Sequence, residues 1–168
     1  IFLSAPMVGL DGQPLSFAGM ARVGDAACLI GLGRMPVGRA SDELPSEKAF
    51  GGNPLTSDFV RYMRTVDIWR EEPKLIVGKP TFAWGAAAMH AMAAAARDGF
   101  PATIKVPVLM LAAARDEVVS TGWTEQLGLR MRTGRHAIVA AARHELFMES
   151  DAIRAQVFAA FDAFITEQ

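Results

Sequence analysis

Two short apolar runs after residue 105 alternate with two stretches of helical periodicity. The runs Val106–Ala113 and His136–Ala142 are bounded by turn residues, which is typical of strands buried on both faces. The stretches Ser120–Arg132 and Asp151–Ile165 repeat apolar residues every three to four positions, as the buried face of a helix does. The order strand, helix, strand, helix predicts the α/β class, with a parallel sheet and flanking helices.

The first half of the chain has a different pattern. Residues 1–5 form an apolar run that Pro6 ends, and we interpret this run as a buried strand. Gly and Pro are then frequent as far as Leu55. Because a structureless loop of that length is improbable in a compact domain, we expect short helical pieces here, one of them over Asp25–Leu32.

Two clearer helices follow, one opening at Thr56 or Ser57 and ending at Pro73, and one over Phe82–Arg97. We therefore divide the chain into a core strand (residues 1–9), a helical lid (residues 10–98) and a C-terminal core (residues 99–168). Three strands are fewer than the ~5–6 of a usual sheet. We expect this chain to be part of a longer protein, with its first strand against another polypeptide.

Composition and charge argue against several classes of protein function. The 168 residues carry 17 basic and 18 acidic side chains, and the net charge of −1 gives no electrostatic support for nucleic-acid binding. No apolar run reaches the ~18 residues that span a bilayer. The single cysteine, Cys28, excludes an internal disulfide and fits a reducing compartment. We expect a cytoplasmic location, including the membrane periphery, and a buried, inert Cys28 thiol.

Two polar residues follow the two predicted strands of the C-terminal core. Asp116 comes shortly after the first of these strands and His144 shortly after the second. Because the carboxyl ends of parallel strands meet at one edge of a sheet, these side chains can reach each other. A carboxylate beside an imidazole is the orienting half of a nucleophile–His–acid triad, which predicts a contact of roughly 2.6–3.2 Å. The alternative is that Asp116 caps the next helix and His144 makes a loop hydrogen bond.

The sequence segments around Asp116 and His144 are similar to segments of a known family. The segments Pro107–Val119 and Ala142–Asp151 resemble the acid and histidine segments of the monoacylglycerol lipase and lysophospholipase group of α/β-hydrolases. Ser4–Met7 resembles the strand before that group's lid, and Asn53–Asp58 and Gly78–Trp84 resemble lid segments of its lysophospholipase L2 type.

The resemblance implies part of an α/β-hydrolase fold with a helical lid, and hydrolysis of a lysophospholipid or monoacylglycerol ester. It implies that Asp116 and His144 are catalytic, that no metal or organic cofactor is needed, and that His144 has one ring nitrogen facing a cleft beneath the lid. Phe82 and Trp84 are candidates to line an acyl pocket, although packing between lid helices is an alternative use.

The chain departs from the family at the nucleophile. The family's serine lies in a G-x-S-x-G motif upstream of the first strand seen here. None of the seven serines (residues 4, 16, 41, 46, 57, 120 and 150) lies in that motif, and the oxyanion-hole segment is also missing from this sequence. We expect an N-terminal half of the same hydrolase to supply both, and this chain alone to be inactive. The alternatives are another lidded hydrolase (a carboxylesterase or an epoxide hydrolase) and a non-catalytic interaction protein built on half of the fold.

Overall fold

The computed structural model describes residues 1–37 and 46–166, so Ser41 lies outside the described part of the chain. It contains three strands: β1 (Phe2–Ser4), β2 (Val108–Ala113) and β3 (Gly134–Val139). Its helices are α1 (Phe17–Leu29), α2 (Phe59–Glu71), α3 (Phe82–Ala96), α4 (Phe100–Thr103), α5 (Thr121–Arg130) and α6 (Asp151–Thr166). Short 3-10 helices cover Glu47–Gly52, Pro73–Leu75 and Leu146–Met148.

The strands form a parallel sheet in the order β1-β2-β3, with Phe2 opposite Leu109 in the first pair and Leu109 opposite Arg135 in the second. All six residues of β2 are buried. Because side chains alternate along a strand, Leu109 and Leu111 pack with Val157 of α6, whereas Met110 packs on the other face with Leu127 of α5. The predicted α/β class, a parallel sheet with flanking helices, is confirmed.

The strand β3 differs from its prediction. The sequence predicts a buried strand over residues 136–142, but β3 covers Gly134–Val139 and only Val139 in it is fully buried. Ile138 is 46% exposed. The physical reason is the strand's position, because β3 is at the edge of the described sheet and has β2 as its one neighbour there.

The helical segment, residues 10–98, is built around two packed helices, α1 and α3. Helix α1 begins after Ser16, whose hydroxyl accepts a hydrogen bond from the Gly19 N–H, so it is longer than the predicted piece over residues 25–32 and starts earlier. Gly24 lets the two helices approach, since a Cβ there would lie 2.8 Å from the Ala86 Cβ. Helix α3 matches its predicted bounds within one residue and is capped by Thr81.

Helix α2 packs on the adjacent 3-10 helices and is the third helix of the segment. Its cap is Asp58, one position beyond the predicted Thr56 or Ser57, and the Asp58 carboxylate accepts from the Arg61 N–H. Apart from an isolated bridge between Pro36 and Thr81, the described residues of the helical segment contribute no strand to the structure. Its use as a lid stays a prediction.

The structure bears on two expectations from composition, the burial of Cys28 and the lack of a membrane-spanning segment. Cys28 is partly rather than fully buried, because it lies near the end of α1 and is covered on one side by Gly33. Across residues 1–37 and 46–166, no helix combines the length and the apolar character that a membrane span needs. The cytoplasmic or membrane-peripheral location stays a prediction.

Candidate active site

The loops that follow β2 and β3 are joined at the carboxyl edge of the sheet. The Ala114 N–H donates to the Val139 carbonyl at 3.1 Å, and the Arg115 N–H donates to the Ala142 carbonyl at 2.9 Å. These bonds continue the pairing of the two strands into the loops. They bring Asp116 on one loop to His144 on the other.

The Asp116 carboxylate is fixed from two sides. Its Oδ1 accepts from the Val118 and Val119 backbone N–H groups at 2.8 and 2.9 Å. Its Oδ2 lies 3.0 Å from His144 Nδ1, and the side chain is 1% exposed. The predicted contact is present. The capping alternative is wrong in one respect, because helix α5 is capped by the Ser120 hydroxyl and not by Asp116.

The contact determines the protonation pattern of the neutral His144 ring. An ionised carboxylate only accepts hydrogen bonds, so the proton is on Nδ1, and Nε2 carries a free lone pair. Among the described residues, no side chain or backbone group hydrogen-bonds Nε2. The His144 side chain is 23% exposed, so it is not fully enclosed by the described residues. This is the arrangement that a general base requires.

A second His–Asp pair shows what distinguishes the first. His90 Nε2 lies 2.9 Å from Asp25 Oδ2, joining α3 to α1. Both side chains are about half exposed, and neither follows a strand of the sheet. The His90–Asp25 pair is a surface contact between two helices. Distance alone therefore does not mark the candidate site, whereas burial of the acid and its position at the sheet edge do.

The residue after His144 is a partly buried carboxylic acid. Burial raises the pKa of Glu145 above its ordinary value, and the positive charge that His144 can carry opposes this shift. Glu145 lines a small cavity beneath α2 with Tyr62 and Trp69. The raised pKa means that the folded chain binds the Glu145 proton more tightly than the unfolded chain does.

This raised pKa predicts the effect of Glu145→Gln. Since the folded chain binds this proton more tightly, its stability falls as pH rises from the ordinary pKa of the unfolded chain through the raised pKa of the folded chain. The glutamine variant removes that penalty and is expected to be more stable than the parent at pH 7, with a flatter pH profile. Urea unfolding between pH 4 and pH 8 measures this. The control is Glu71→Gln on the exposed side of α2, and an unchanged pH slope in Glu145→Gln would contradict the prediction.

A buried carboxylate near His144 was missed by sequence reasoning. Glu149 accepts hydrogen bonds from Ser57, just before α2, and from the Arg143 N–H. Both segments resemble family segments, but nothing in the sequence pairs residues so far apart. The neighbouring Arg61 guanidinium bonds the exposed Asp151 and lowers the pKa of that carboxyl.

Two adjoining cavities lie beside the acid loop. The smaller, of about 340 Å³, is lined by Asp116 with Glu117 and Val118, and the larger, of about 440 Å³, by Phe17 and Trp123. They share the wall formed by Leu10, Asp11 and Gln13. His144 lines neither cavity, so a cleft in front of its Nε2 stays a prediction.

The predicted acyl-pocket residues lie away from these cavities. Phe82 is partly buried and Trp84 is 53% exposed at the start of α3, and neither lines the three cavities described above. Their contact with an acyl chain stays a prediction. Within the described ranges, no group of three His, Cys, Asp or Glu side chains is arranged to hold a metal ion.

Three serine hydroxyls in the described part of the chain have structural hydrogen-bond partners. Ser120 is buried and caps α5, Ser16 caps α1, and Ser57 donates to Glu149. In the described part of the chain no serine hydroxyl is hydrogen-bonded to His144. Across residues 1–37 and 46–166, the geometry thus presents an oriented acid–imidazole pair with no nucleophile bonded to it.

Comparison with known proteins identifies the family of this chain. The sequence model of the family described as Hydrolase_4, serine aminopeptidase S33, matches residues 1–151. A probable lysophospholipase L2 of Haemophilus influenzae is 28% identical over 116 residues, which are 69% of this chain and 36% of that protein. The matched part of the chain therefore covers about a third of the length of this curated relative.

Solved structures give the fold. A soluble variant of the monoglyceride lipase of Saccharomyces cerevisiae superposes with a TM-score of 0.70 at 14% identity, covering 99% of this chain and 55% of that one. A monoacylglycerol lipase of Paleococcus ferrophilus gives 0.65 at 18% identity, covering 99% and 58%. The predicted resemblance to the monoacylglycerol lipase and lysophospholipase group is confirmed, and this chain belongs to the Hydrolase_4 (serine aminopeptidase S33) family, with the α/β-hydrolase fold.

Proposed function

We propose that this chain carries the acid and the base of a serine ester hydrolase, with Asp116 and His144 as members of a Ser-His-Asp triad. The observation that carries the proposal is the buried Asp116 carboxylate, held by two backbone N–H groups and 3.0 Å from His144 Nδ1. A carboxylate fixed in this way orients the imidazole and stabilises the imidazolium that forms during proton transfer.

The mechanism follows from the free lone pair on His144 Nε2. The serine hydroxyl attacks the ester carbonyl carbon while Nε2 takes the hydroxyl proton. The resulting imidazolium then gives that proton to the leaving alcohol as the carbon–oxygen bond breaks. Water repeats the sequence on the acyl-enzyme and releases the acid. This chemistry needs no metal or organic cofactor.

The nucleophile and the oxyanion hole are proposed to come from an N-terminal half of the same hydrolase. Two observations support this partner. The chain spans 55–58% of the two lipase structures it matches. Strand β1 has β2 on one side only within the described sheet, and Ile1 is 60% exposed. A neighbouring strand would pair the exposed N–H and C=O groups of this open edge.

The proposed substrates are esters with a single acyl chain, a lysophospholipid or a monoacylglycerol. The support is that the relative and the two lipases above are described by such substrates. In this proposal the helical segment, residues 10–98, is a lid over the candidate site. Phe82 and Trp84 contact the acyl chain from it.

The test compares substrate classes on the purified complete hydrolase. We expect higher kcat/KM for 1-monoacylglycerol and lysophosphatidylcholine than for an aminoacyl p-nitroanilide or a styrene-type epoxide. A preference for the anilide would favour the peptidase activity that the family description names, and epoxide turnover would favour an epoxide hydrolase. No turnover of any substrate would favour a non-catalytic protein and overturn the proposal.

A further inference from the structure

A fully buried carboxylate lies behind the His144 loop. The Glu149 side chain is 0% exposed. Its Oε1 accepts from the Arg143 N–H at 2.7 Å, and its Oε2 accepts from the Ser57 N–H at 3.1 Å and from the Ser57 hydroxyl. One side chain thus joins the backbone immediately before His144 to the segment that leads into α2.

The free-energy cost of burying the Glu149 carboxylate is offset by its three hydrogen-bond donors. A carboxylate removed from water without partners is strongly unfavourable, whereas hydrogen bonds to an ionised acceptor are short and strong. Both Glu149 oxygens have donors, and two of these donors are backbone N–H groups at fixed positions. The arrangement therefore specifies where two backbone segments lie, which an apolar side chain of similar size does not do.

Further bonds run between the same two segments. The Thr56 hydroxyl, also buried, donates to the Met148 carbonyl at 2.7 Å. The Glu145 N–H donates to the Leu55 carbonyl at 2.8 Å. Along the His144 loop, the residues that make these bonds lie between Arg143 and Glu149. The loop and the segment before α2 consequently form one packed unit.

We propose that Glu149 is a positioning residue for His144. Through Arg143 it fixes the peptide that precedes the imidazole, and through Ser57 it holds that peptide against the segment before α2. The result is the 3.0 Å contact between His144 Nδ1 and Asp116. This inference rests on the proposed function, in which His144 is the general base.

The variant Glu149→Gln tests the positioning role in the complete hydrolase. The glutamine oxygen accepts on one side only, so its NH2 group faces a backbone N–H donor on the other side. The loop shifts to relieve that contact. A displacement of about 1 Å at a catalytic group lowers the rate by about 10²-fold, so we expect kcat to fall by that order while KM changes little.

The second readout does not depend on turnover. In the parent, the proton shared between His144 Nδ1 and Asp116 is expected to give a downfield proton resonance by NMR. In Glu149→Gln this resonance is expected to be lost or broadened. If Glu149 only stabilised the fold, Glu149→Gln would lower the melting temperature but leave this resonance unchanged in the folded protein.

Two further variants keep the test decisive. Ser57→Ala removes one of the three donors and is expected to give a smaller fall in kcat with the same weakening of the resonance, even if Glu149→Gln does not fold. Glu71→Gln on α2 removes an exposed carboxylate and is expected to match the parent. Parent-like kcat and resonance in Ser57→Ala and in folded Glu149→Gln would overturn the inference.

Failure of the inference is distinguishable from failure of the proposed function. If His144→Ala abolishes turnover but Glu149→Gln matches the parent, the proposed function stands and the positioning role is overturned. If His144→Ala keeps full activity, the proposed function fails. The NMR resonance of Glu149→Gln then still shows whether Glu149 holds His144 against Asp116.

Discussion

Replacing His144 by alanine in the complete hydrolase is expected to lower kcat for a monoacylglycerol by about 10⁶-fold, the order seen when the histidine of a serine protease triad is removed. The reason is that Nε2, which has no hydrogen-bond partner in the described part of the chain, is the group proposed to take the serine proton. Steady-state kinetics measure the loss, and circular dichroism shows whether the variant is folded.

The Asp116→Asn variant separates orientation from proton transfer within the same pair. An asparagine oxygen at the Oδ1 position still accepts from Val118 and Val119, so the loop keeps its shape. Its NH2 group then faces His144 Nδ1 and favours the ring tautomer with the proton on Nε2. A fall in kcat of about 10⁴-fold is expected, as for the corresponding change in a serine protease.

The surface pair His90–Asp25 supplies the matched control. It has nearly the same nitrogen–oxygen distance, 2.9 Å, but it lies between α1 and α3 with both side chains half exposed. His90→Ala is expected to keep the parent's kcat. Activity of His144→Ala within tenfold of the His90→Ala control would remove His144 from the mechanism.

Local patterns in the sequence predicted the parallel α/β class and strand β2, whereas for the acid–imidazole pair they left an alternative open that the family resemblance weighed against. The run that forms β2 is apolar at every position because both of its faces are covered, and this leaves little ambiguity in a short segment. Asp116 and His144 then follow from topology, since adjacent parallel strands end at the same edge.

Helix α1 was only partly predicted because its sequence argues against a helix. Gly19 and Gly24 lower helix propensity, and the tertiary packing that favours α1 is not visible in its own sequence. Gly24 is needed where α1 crosses Ala86 of α3. The packing of α1 on α3 outweighs the low helix propensity of its glycines. Sequence periodicity does not reveal that packing.

The Glu149 contacts were not predictable for a related reason. Two of the three donors to this carboxylate are backbone N–H groups, which every residue except proline possesses. Residue identity therefore carries almost no information about the pairing of Glu149 with Ser57. A buried acid is visible only once the fold has placed both segments.

The 168-residue chain by itself is expected to show no ester hydrolysis above background. The sequence has no G-x-S-x-G motif, and the hydroxyls of Ser16, Ser57 and Ser120 are engaged in caps or with Glu149. Loss of the nucleophile removes about 10⁶-fold of the rate in a serine protease, where the oxyanion hole and substrate binding retain some activity. Here the oxyanion-hole segment is expected to be missing as well, so even that remainder is expected to be lost.

The measurement is an assay of the purified chain with a short p-nitrophenyl ester and with a monoacylglycerol, alone and mixed with the proposed N-terminal half. We expect turnover only in the mixture, because the half would pair the open edge of β1 and bring a serine to His144 Nε2. The His144→Ala chain, mixed in the same way, is the control and is expected to stay inactive. Robust turnover by the isolated chain, abolished by His144→Ala, would show instead that residues 1–168 contain a nucleophile of their own.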